Sequence, residues 1–225
     1  MPTLDELVSS VRHSPHLPQV VSVLQRQLED ERQRRRRFYE EMTPDQKVEF
    51  IDGEVVLHSP ARAYHLEVTD RLKWLMESHV MVRGLGRVHT EKCLCVFPRN
   101  DYEPDIVFFG PEKNRTINRR TLKFPVPDFA VEILSESTEA RDRGVKREDY
   151  EANGVGEYWI VDADARTVDR HRLRDRVYVV EKLVETDRIY SHIIEGFSVP
   201  LRLIFDADAY ADHLRTLLGD APPPA

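Results

Sequence analysis

Two acidic residues lie in stretches of the sequence that are otherwise strongly apolar. Asp105 follows Pro104 and precedes the run Ile106–Phe109, and Glu132 lies inside the stretch PDFAVEILSEST. An unpaired carboxylate in an apolar strand costs several kcal/mol or takes up a proton, unless a cation or hydrogen-bond donors contact it. Both positions therefore predict a counter-charge, either a metal ion or a basic side chain.

The geometry of β-strands decides whether one ion could serve both acids. Side chains alternate along a strand, so Glu132 shares a face with Leu134 and with the small Ala130, which leaves room beside it. If their strands are neighbours, roughly 5 Å apart, Asp105 and Glu132 could contact a single divalent cation. Asp128 is a rival acid, but four strand residues place it roughly 13 Å from Glu132, so it is expected to end a loop. The alternative is that each acid pairs with an arginine.

Turn and periodicity signals predict the elements that must position these acids. A β-hairpin is expected around Asp52-Gly53, followed by a helix with His65, Val68 and Leu72 on one face. GRVHTEKCLCVFP and DYEPDIVFFG are each expected to form one strand. FAVEIL, a charged helix and EYWIVD predict a strand–helix–strand crossover. Further strands are expected at TVDRHRL, VYVVEKLV and YSHII, and a last helix at DADAYADHLRTLL.

The chain before residue 47 differs from the rest. LPQVVSVLQRQLEDERQRRRRFYEE predicts a long helix that carries a run of four arginines, Arg34, Arg35, Arg36 and Arg37. That run is either a solvated helix face beside an apolar stripe for a partner or a strip of contacts to DNA phosphates. We expect a helical extension over residues 1–46, one α/β domain over residues 47–218 and a disordered tail over residues 219–225.

Composition and charge exclude several classes of protein. The 225-residue chain has a net charge of −7 and a charged fraction of 32%, which argues for a globular fold with a densely charged surface and against broad electrostatic adhesion to nucleic acid. The sequence has neither a run of roughly 18 apolar residues nor the pattern of a secretory signal, so we predict a cytoplasmic protein. Its two cysteines, Cys93 and Cys95, are expected to stay reduced.

Several of these stretches together resemble a known family. EPDIVFF, PDFAVEILSEST and RDRGVKREDYEANGVGEYWIVD, preceded by VEFIDGEVV and by the helix that carries His65, are similar to the Uma-two endonucleases of the PD-(D/E)XK, or restriction-endonuclease-like, superfamily. The resemblance covers about residues 47 to 205. It implies a mixed central sheet flanked by helices and a metal-dependent hydrolysis of DNA phosphodiester bonds.

The resemblance also implies roles for individual residues. Asp105 and Glu132 would bind Mg²⁺ or Mn²⁺, and the backbone carbonyl of Ile133 would complete the protein ligands. A bound ion polarises the scissile phosphate and lowers the pKa of a water nucleophile. Glu54 and His65 match family positions that are expected to line the site.

One residue departs from the family pattern. The superfamily places a lysine two residues after the motif acid, where this chain has Leu134. Lys146, in the following helix, is the candidate for a migrated lysine that orients the water or stabilises charge developing on the phosphate. The alternative is an exposed helix ion pair, because Asp142 lies four residues before Lys146 in the favourable order.

The leading hypothesis is therefore a cytoplasmic, Mg²⁺- or Mn²⁺-dependent endonuclease that cleaves DNA. Two copies would let it address both strands, so we expect a homodimer with no membrane association. The alternative function is a non-catalytic module that holds nucleic acid or a protein through Arg34 to Arg37 and the stretch from Arg115 to Arg120. Leu134 in place of the motif lysine and the acidic net charge motivate this alternative.

Overall fold

The protein has a mixed α/β fold with helices at its N-terminus, as the apolar periodicity and the turn residues of the sequence predict. The computed structural model describes residues 4–43, 45–90 and 92–219, so the predicted tail from residue 220 onward lies outside the described residues. The helices are α1 (Leu4–Arg12), α2 (Leu17–Glu41), α3 (Ala63–Arg83), α4 (Pro111–Asn114), α5 (Glu139–Arg141), α6 (Arg147–Ala152), α7 (Arg202–Phe205) and α8 (Ala207–Leu218). The strands are β1 (Val48–Ile51), β2 (Glu54–Leu57), β3 (Arg87–Thr90), β4 (Leu94–Val96), β5 (Asp101–Tyr102), β6 (Ile106–Phe109), β7 (Lys123–Phe124), β8 (Phe129–Ile133), β9 (Glu157–Asp162), β10 (Thr167–Arg174), β11 (Val177–Val184), β12 (Arg188–Tyr190) and β13 (Ser198–Pro200). None of the helices within the described ranges has the length and apolar character that a membrane crossing needs.

A six-stranded sheet forms the centre of the fold, in the order β11-β10-β9-β8-β6-β3. β8 and β9 run parallel, and the other neighbours in this sheet run antiparallel. α5, a kinked turn and α6 connect β8 to β9, so the predicted strand–helix–strand crossover is confirmed. β6 and β8 are buried along their whole length, which explains why their sequences are nearly continuous apolar runs.

A five-stranded sheet, in the order β2-β1-β5-β4-β7, lies against one face of the central sheet. The predicted hairpin is confirmed, because Asp52 and Gly53 form the turn between β1 and β2. Their φ angles of 50° and 85° lie in the left-handed region, which the Asp-Gly pair tolerates better than most residues.

Two stretches predicted as single strands are in fact divided between the two sheets. In the first stretch, RVHT forms β3 in the six-stranded sheet and LCV forms β4 in the five-stranded sheet. In the second stretch, DY forms β5 in the five-stranded sheet and IVFF forms β6 in the six-stranded sheet. Pro104 lies at the second division, where its missing N–H prevents a continuous ladder. YSHII is also not a strand, since β12 ends at Tyr190 and pairs with β13, which begins at Ser198.

Two apolar cores cover the two faces of the six-stranded sheet. The first core receives the apolar face of α3 and one set of side chains from β8, namely Val68, Leu72, Met76, Phe129, Val131 and Ile133. The second core lies between the two sheets and includes Ala130 and Leu134. The predicted alternation is therefore confirmed, and it places Glu132 on the face of β8 towards the five-stranded sheet.

An ion pair between Arg35 and the buried Asp101 fastens α2 to the five-stranded sheet. The Arg35 guanidinium donates to both carboxylate oxygens of Asp101, with 2.7 Å between Nε and Oδ2, and to three backbone carbonyls in the loop before β5. Phe38 stacks on Phe50 of β1 with ring centroids 5.7 Å apart. Arg35 therefore holds the helix against the domain and is not part of an exposed strip for phosphates.

The other arginines of the predicted basic run lie nearer the solvent. Arg34 Nε donates to the carbonyl oxygen of Gly53 at 2.7 Å, and Arg36 pairs with Glu29 at 3.2 Å. Arg37 is exposed. Contacts of Arg34, Arg36 and Arg37 with nucleic acid stay a prediction.

Replacing Arg35 by methionine should destabilise the fold strongly. The variant leaves the Asp101 carboxylate buried without its cation, which we expect to lower the free energy of unfolding by about 3–5 kcal/mol. Arg36→Met is the matched control, because the Arg36 side chain is 61% exposed, and it should change this free energy by less than about 1 kcal/mol. Urea denaturation measures both variants, and equal stabilities would contradict the assigned role of Arg35.

Candidate active site

The structure brings the two predicted acids to one cavity. β6 and β8 are antiparallel neighbours in which Ile106 lies opposite Val131, so the next position of the register places Asp105 opposite Glu132. Both side chains are buried, and both line a cavity of about 620 Å³. The arrangement that the sequence suggested, two carboxylates on neighbouring strands, is therefore present.

Asp105 accepts hydrogen bonds on both carboxylate oxygens. Lys47 Nζ lies 2.7 Å from Oδ1, whereas His65 Nε2 and the backbone nitrogen of Ile133 lie 3.1 Å and 2.8 Å from Oδ2. Burial alone would raise the pKa of Asp105, but Lys47 and His65 outweigh it and hold the pKa well below its usual range. Asp105 is therefore ionised, and its partners are a lysine and a histidine rather than an arginine.

Glu132 contacts a buried ammonium group. Lys146 Nζ lies 2.9 Å from Glu132 Oε1, and the Tyr150 hydroxyl donates to the same oxygen at 3.2 Å. The same ammonium lies 2.9 Å from Glu49 Oε1 and 3.2 Å from Asp142 Oδ1. The side chains of Lys146 and Asp142 are each 1% exposed, so the interpretation of this pair as an exposed helix ion pair is wrong. We call Lys146, Glu49, Glu132 and Asp142 the buried charge cluster.

A kink after β8 accompanies the burial of Asp142 and Lys146. Residues 142–146 form a wide turn in which Gly144 has the non-helical angles φ −101° and ψ −107°. Glycine offers the least steric resistance to such a conformation, because it has no Cβ. The sequence predicts one continuous charged helix here, and the break at Gly144 corrects that expectation.

The acids of the buried charge cluster differ in their affinity for protons. Burial would raise the pKa of Glu49, but Lys146 and His58 outweigh it and lower the pKa to about 2. Burial raises the pKa of Glu132 well above its usual range, and the negative charge of Asp142 adds to this effect against the opposing charge of Lys146. More positive charge beside Glu132 would therefore stabilise its ionised form.

Glu49 and Lys47 belong to this site although the sequence analysis did not single them out. Glu49 lies on β1, where every residue is buried, so it shows the same signal that identified Glu132, an acid inside an apolar strand. Lys47 had no such signal, because a lysine just before a strand is usually solvated. Glu54, which the resemblance places at the site, is exposed on β2 and is absent from the described residues that line the cavity.

Asp128, the rival acid, lies elsewhere. Its Oδ2 accepts a hydrogen bond from the backbone nitrogen of Gly110 at 2.7 Å, and its Oδ1 pairs with Lys113 Nζ at 2.7 Å. These residues line a second cavity, of about 480 Å³. β8 begins at the next residue, Phe129, so the prediction that Asp128 ends a loop is confirmed.

The oxygen donors around the first cavity fit a hard divalent cation. In the part of the chain that the structure describes, no three His, Cys, Asp or Glu side chains are grouped so that they could hold a metal ion by themselves. Mg²⁺, however, usually retains several waters and needs only one or two protein carboxylates, which Asp105 and Glu132 could supply. Both described donors to Glu132 contact Oε1, so Oε2 is the oxygen that remains for a cation.

A family model matches most of the chain. The model is Uma2, described as "Putative restriction endonuclease", and it matches residues 20–202. The matched region includes most of α2, the helix that Arg35 fastens to the five-stranded sheet. No protein with a curated description matches the chain.

A solved structure has a similar fold. It is the crystal structure of a putative nuclease belonging to DUF820 from Anabaena variabilis ATCC 29413, with 18% sequence identity and a TM-score of 0.66. The alignment covers 75% of this chain and 94% of that chain. At this identity the likeness establishes the fold alone, which agrees with the predicted sheet flanked by helices.

Replacing Lys146 by methionine should destabilise the fold in a pH-dependent way. Three buried carboxylates lose their shared cation, which is expected to lower the free energy of unfolding by about 3–5 kcal/mol. Buried acids without a cation have pKa values above those of the unfolded chain, so they favour folding below the unfolded value and oppose it as pH rises. The loss of stability should thus be larger at pH 8 than at pH 5.

Urea denaturation of both proteins at the two pH values measures this effect. Lys113→Met is the matched control, because Lys113 also pairs with an aspartate at 2.7 Å but is partly exposed, and it should cost about 1 kcal/mol or less. A Lys146 variant as stable as the wild type at pH 8 would contradict the prediction.

Proposed function

Because this chain belongs to the Uma2 family of putative restriction endonucleases, we propose that it is a metal-dependent endonuclease that hydrolyses DNA phosphodiester bonds. One observation carries the proposal. Asp105 and Glu132 lie on neighbouring strands and line the same cavity, although burial makes each carboxylate costly. A metal ion that binds in the cavity would explain why two costly carboxylates lie there, because it would supply positive charge beyond that of the side chains.

The proposed roles follow from the contacts of each residue. Asp105 and Glu132 would hold Mg²⁺ or Mn²⁺, with the backbone carbonyl of Ile133 as the third protein ligand. Such an ion, when bound, polarises the scissile phosphate and lowers the pKa of its water. Lys47 and His65 lower the pKa of Asp105 and keep it ionised, and Lys47 also lines the cavity.

Lys146 is the proposed counterpart of the motif lysine. A lysine displaced from the strand to the following helix can replace the missing one only if it still reaches the motif acid, and Lys146 Nζ lies 2.9 Å from Glu132 Oε1. Its positive charge favours the ionised form of Glu132, and the Tyr150 hydroxyl helps to fix the same oxygen. The assignment explains why Leu134 need not abolish activity.

The test uses isosteric variants of the two acids. Asp105→Asn and Glu132→Gln should each lower the rate of plasmid nicking in Mg²⁺ or Mn²⁺ by at least about 100-fold, since each removes a charge that acts at the reacting phosphate. Calorimetry should show that wild type binds Mn²⁺ and that both variants bind it much more weakly. Asp128→Asn is the control, because it changes a second Pro-Asp aspartate outside the cavity and should leave nicking and metal binding unchanged.

Glu132→Gln should also fold as stably as the wild type, because it removes one of three acids that share a single ammonium. Loss of activity would then not reflect unfolding. Full nicking activity in either acid variant would exclude the proposed site. DNA binding that needs no metal, survives in Glu132→Gln and disappears when Arg36 and Arg37 are replaced would favour the non-catalytic module instead.

We further propose that the protein acts as a cytoplasmic homodimer joined through its N-terminal helices. α1 and α2 expose several apolar side chains, namely Leu7, Val8, Val21, Val23, Leu24 and Leu28. Val21, Leu24 and Leu28 recur at helical spacing, so they form one stripe that a second copy could cover.

Changing Leu24 and Leu28 together to lysine should convert the dimer to a monomer. Charges in the proposed interface would remain without partners there. Sedimentation at micromolar concentration measures the mass, and Leu217→Lys, at another exposed leucine in α8, is the control that should stay dimeric. A monomeric wild-type mass would contradict the proposed dimer.

A further inference from the structure

Two of the described residues that line the cavity are lysines, and they differ in burial and in the number of acids beside them. A lysine ammonium has three N–H donors. Lys146 has three carboxylates within 3.2 Å, from Glu49, Glu132 and Asp142, and its side chain is 1% exposed. Lys146 Nζ hydrogen-bonds Glu132 and lies within ion-pair distance of two further buried acids, so it could reach a substrate only by leaving the buried charge cluster.

Lys47 is in the opposite situation. Its side chain is 21% exposed, and within the described ranges Asp105 is the one acid that pairs with it. The pair uses one of the three ammonium donors, so two remain for groups that enter the cavity. The ammonium lies 2.7 Å from Oδ1 of Asp105, a proposed metal ligand, so it lies beside the position that the scissile phosphate would take.

The other basic residues that line the cavity are less suited to contact a substrate there. His58 Nε2 lies 2.9 Å from Glu49, and His65 Nε2 lies 3.1 Å from Asp105. Arg62 is 66% exposed and pairs at 3.5 Å with the loop residue Glu136, which is 85% exposed, so Arg62 belongs to the outer rim. Lys47 thus combines donors, positive charge and proximity to Asp105.

The acidic residues of the cavity favour such a residue as a partner for an anionic substrate. The acidic lining residues are Asp45, Asp105, Glu132 and Glu136. These carboxylates repel a phosphodiester group, which carries a negative charge of its own. A phosphate that enters beside Asp105 is stabilised by any cation at short range, and the Lys47 ammonium adds to the charge of the proposed metal ion there.

We propose that Lys47 binds the phosphodiester group directly, with its ammonium donating to a non-bridging oxygen, while Lys146 acts on Glu132 from the buried charge cluster. This inference rests on the proposed nuclease function and adds a substrate-binding residue to it. Lys47 precedes β1 and both motif acids, Asp105 and Glu132, in the sequence, whereas Lys146 follows them. Lys47 is therefore not part of the family motif.

The first experiment measures binding of DNA without cleavage. Fluorescence anisotropy with a labelled 20-base-pair duplex in Ca²⁺ gives the Kd of wild type, Lys47→Met, Lys47→Arg and Lys113→Met over a series of salt concentrations. Lys47→Met should weaken binding about tenfold, as expected for one lost charge-assisted hydrogen bond. It should also reduce the slope of log K against log salt by about 1, since one phosphate contact is lost.

The two other variants make the result specific. Lys47→Arg keeps the charge and should bind within about twofold of wild type. Lys113→Met removes a lysine that also pairs with an aspartate at 2.7 Å but lines the second cavity, and it should bind DNA as wild type does. Thermal unfolding of each variant identifies any loss of binding that reflects loss of the fold.

The second experiment measures single-turnover nicking in Mg²⁺ with the same proteins. Lys47→Met should lower the rate about 100-fold, because the lost donor acts where charge develops on the phosphate, and Lys47→Arg should recover most of it. Unchanged DNA affinity and salt slope in Lys47→Met would overturn the inference, whether or not the wild type nicks DNA. A wild type that binds DNA through Lys47 but nicks nothing would instead overturn the proposed nuclease function and support the Lys47 contact.

Discussion

The Lys146 ammonium connects two sheets and a kinked turn through three buried carboxylates. Glu49 comes from β1, Glu132 from β8 and Asp142 from the turn at Gly144, so one cation fixes the relative position of all three segments. Removing these groups from water is unfavourable, and the attraction of the carboxylates to the ammonium offsets that cost only while the ammonium is in place. The cavity with Asp105 lies beside this cluster, and its shape depends on the same contacts.

Asp105 and Glu132 face one cavity, yet their surroundings make them chemically different. Asp105 has donors on both oxygens and a low pKa, so its charge and orientation are already fixed. Glu132 shares its cation with two other acids, and burial raises its pKa. One acid is thus ready to act as a ligand, and the other gains most from added positive charge. This difference suits a site whose cation arrives with the substrate.

The sequence predicted the parts of the fold that depend on local pattern. Asp52-Gly53 identified the hairpin, the alternation around Glu132 identified its face, and an acid after Pro104 identified the second strand of the site. The sequence could not predict where a strand crosses from one sheet to another, because RVHT and LCV look alike when read locally. It also could not predict Lys47, since the partner of a buried acid is decided by packing between distant segments. Lys146 was proposed from the family resemblance as a lysine in the helix after the motif, but its burial depends on a kink that helical spacing does not reveal.

The position of the hairpin β1–β2 at the edge of a sheet makes the site depend on complete folding. Lys47 and Asp105 are 58 positions apart in sequence, and β2 lies at the edge of the five-stranded sheet. Contacts between distant segments form late in folding, and edge elements are among the first to open. Opening of this hairpin would withdraw Lys47 and Glu49 together and leave the six-stranded sheet intact. A partly folded chain would then contain Asp105 without Lys47, so the complete site is confined to the fully assembled protein.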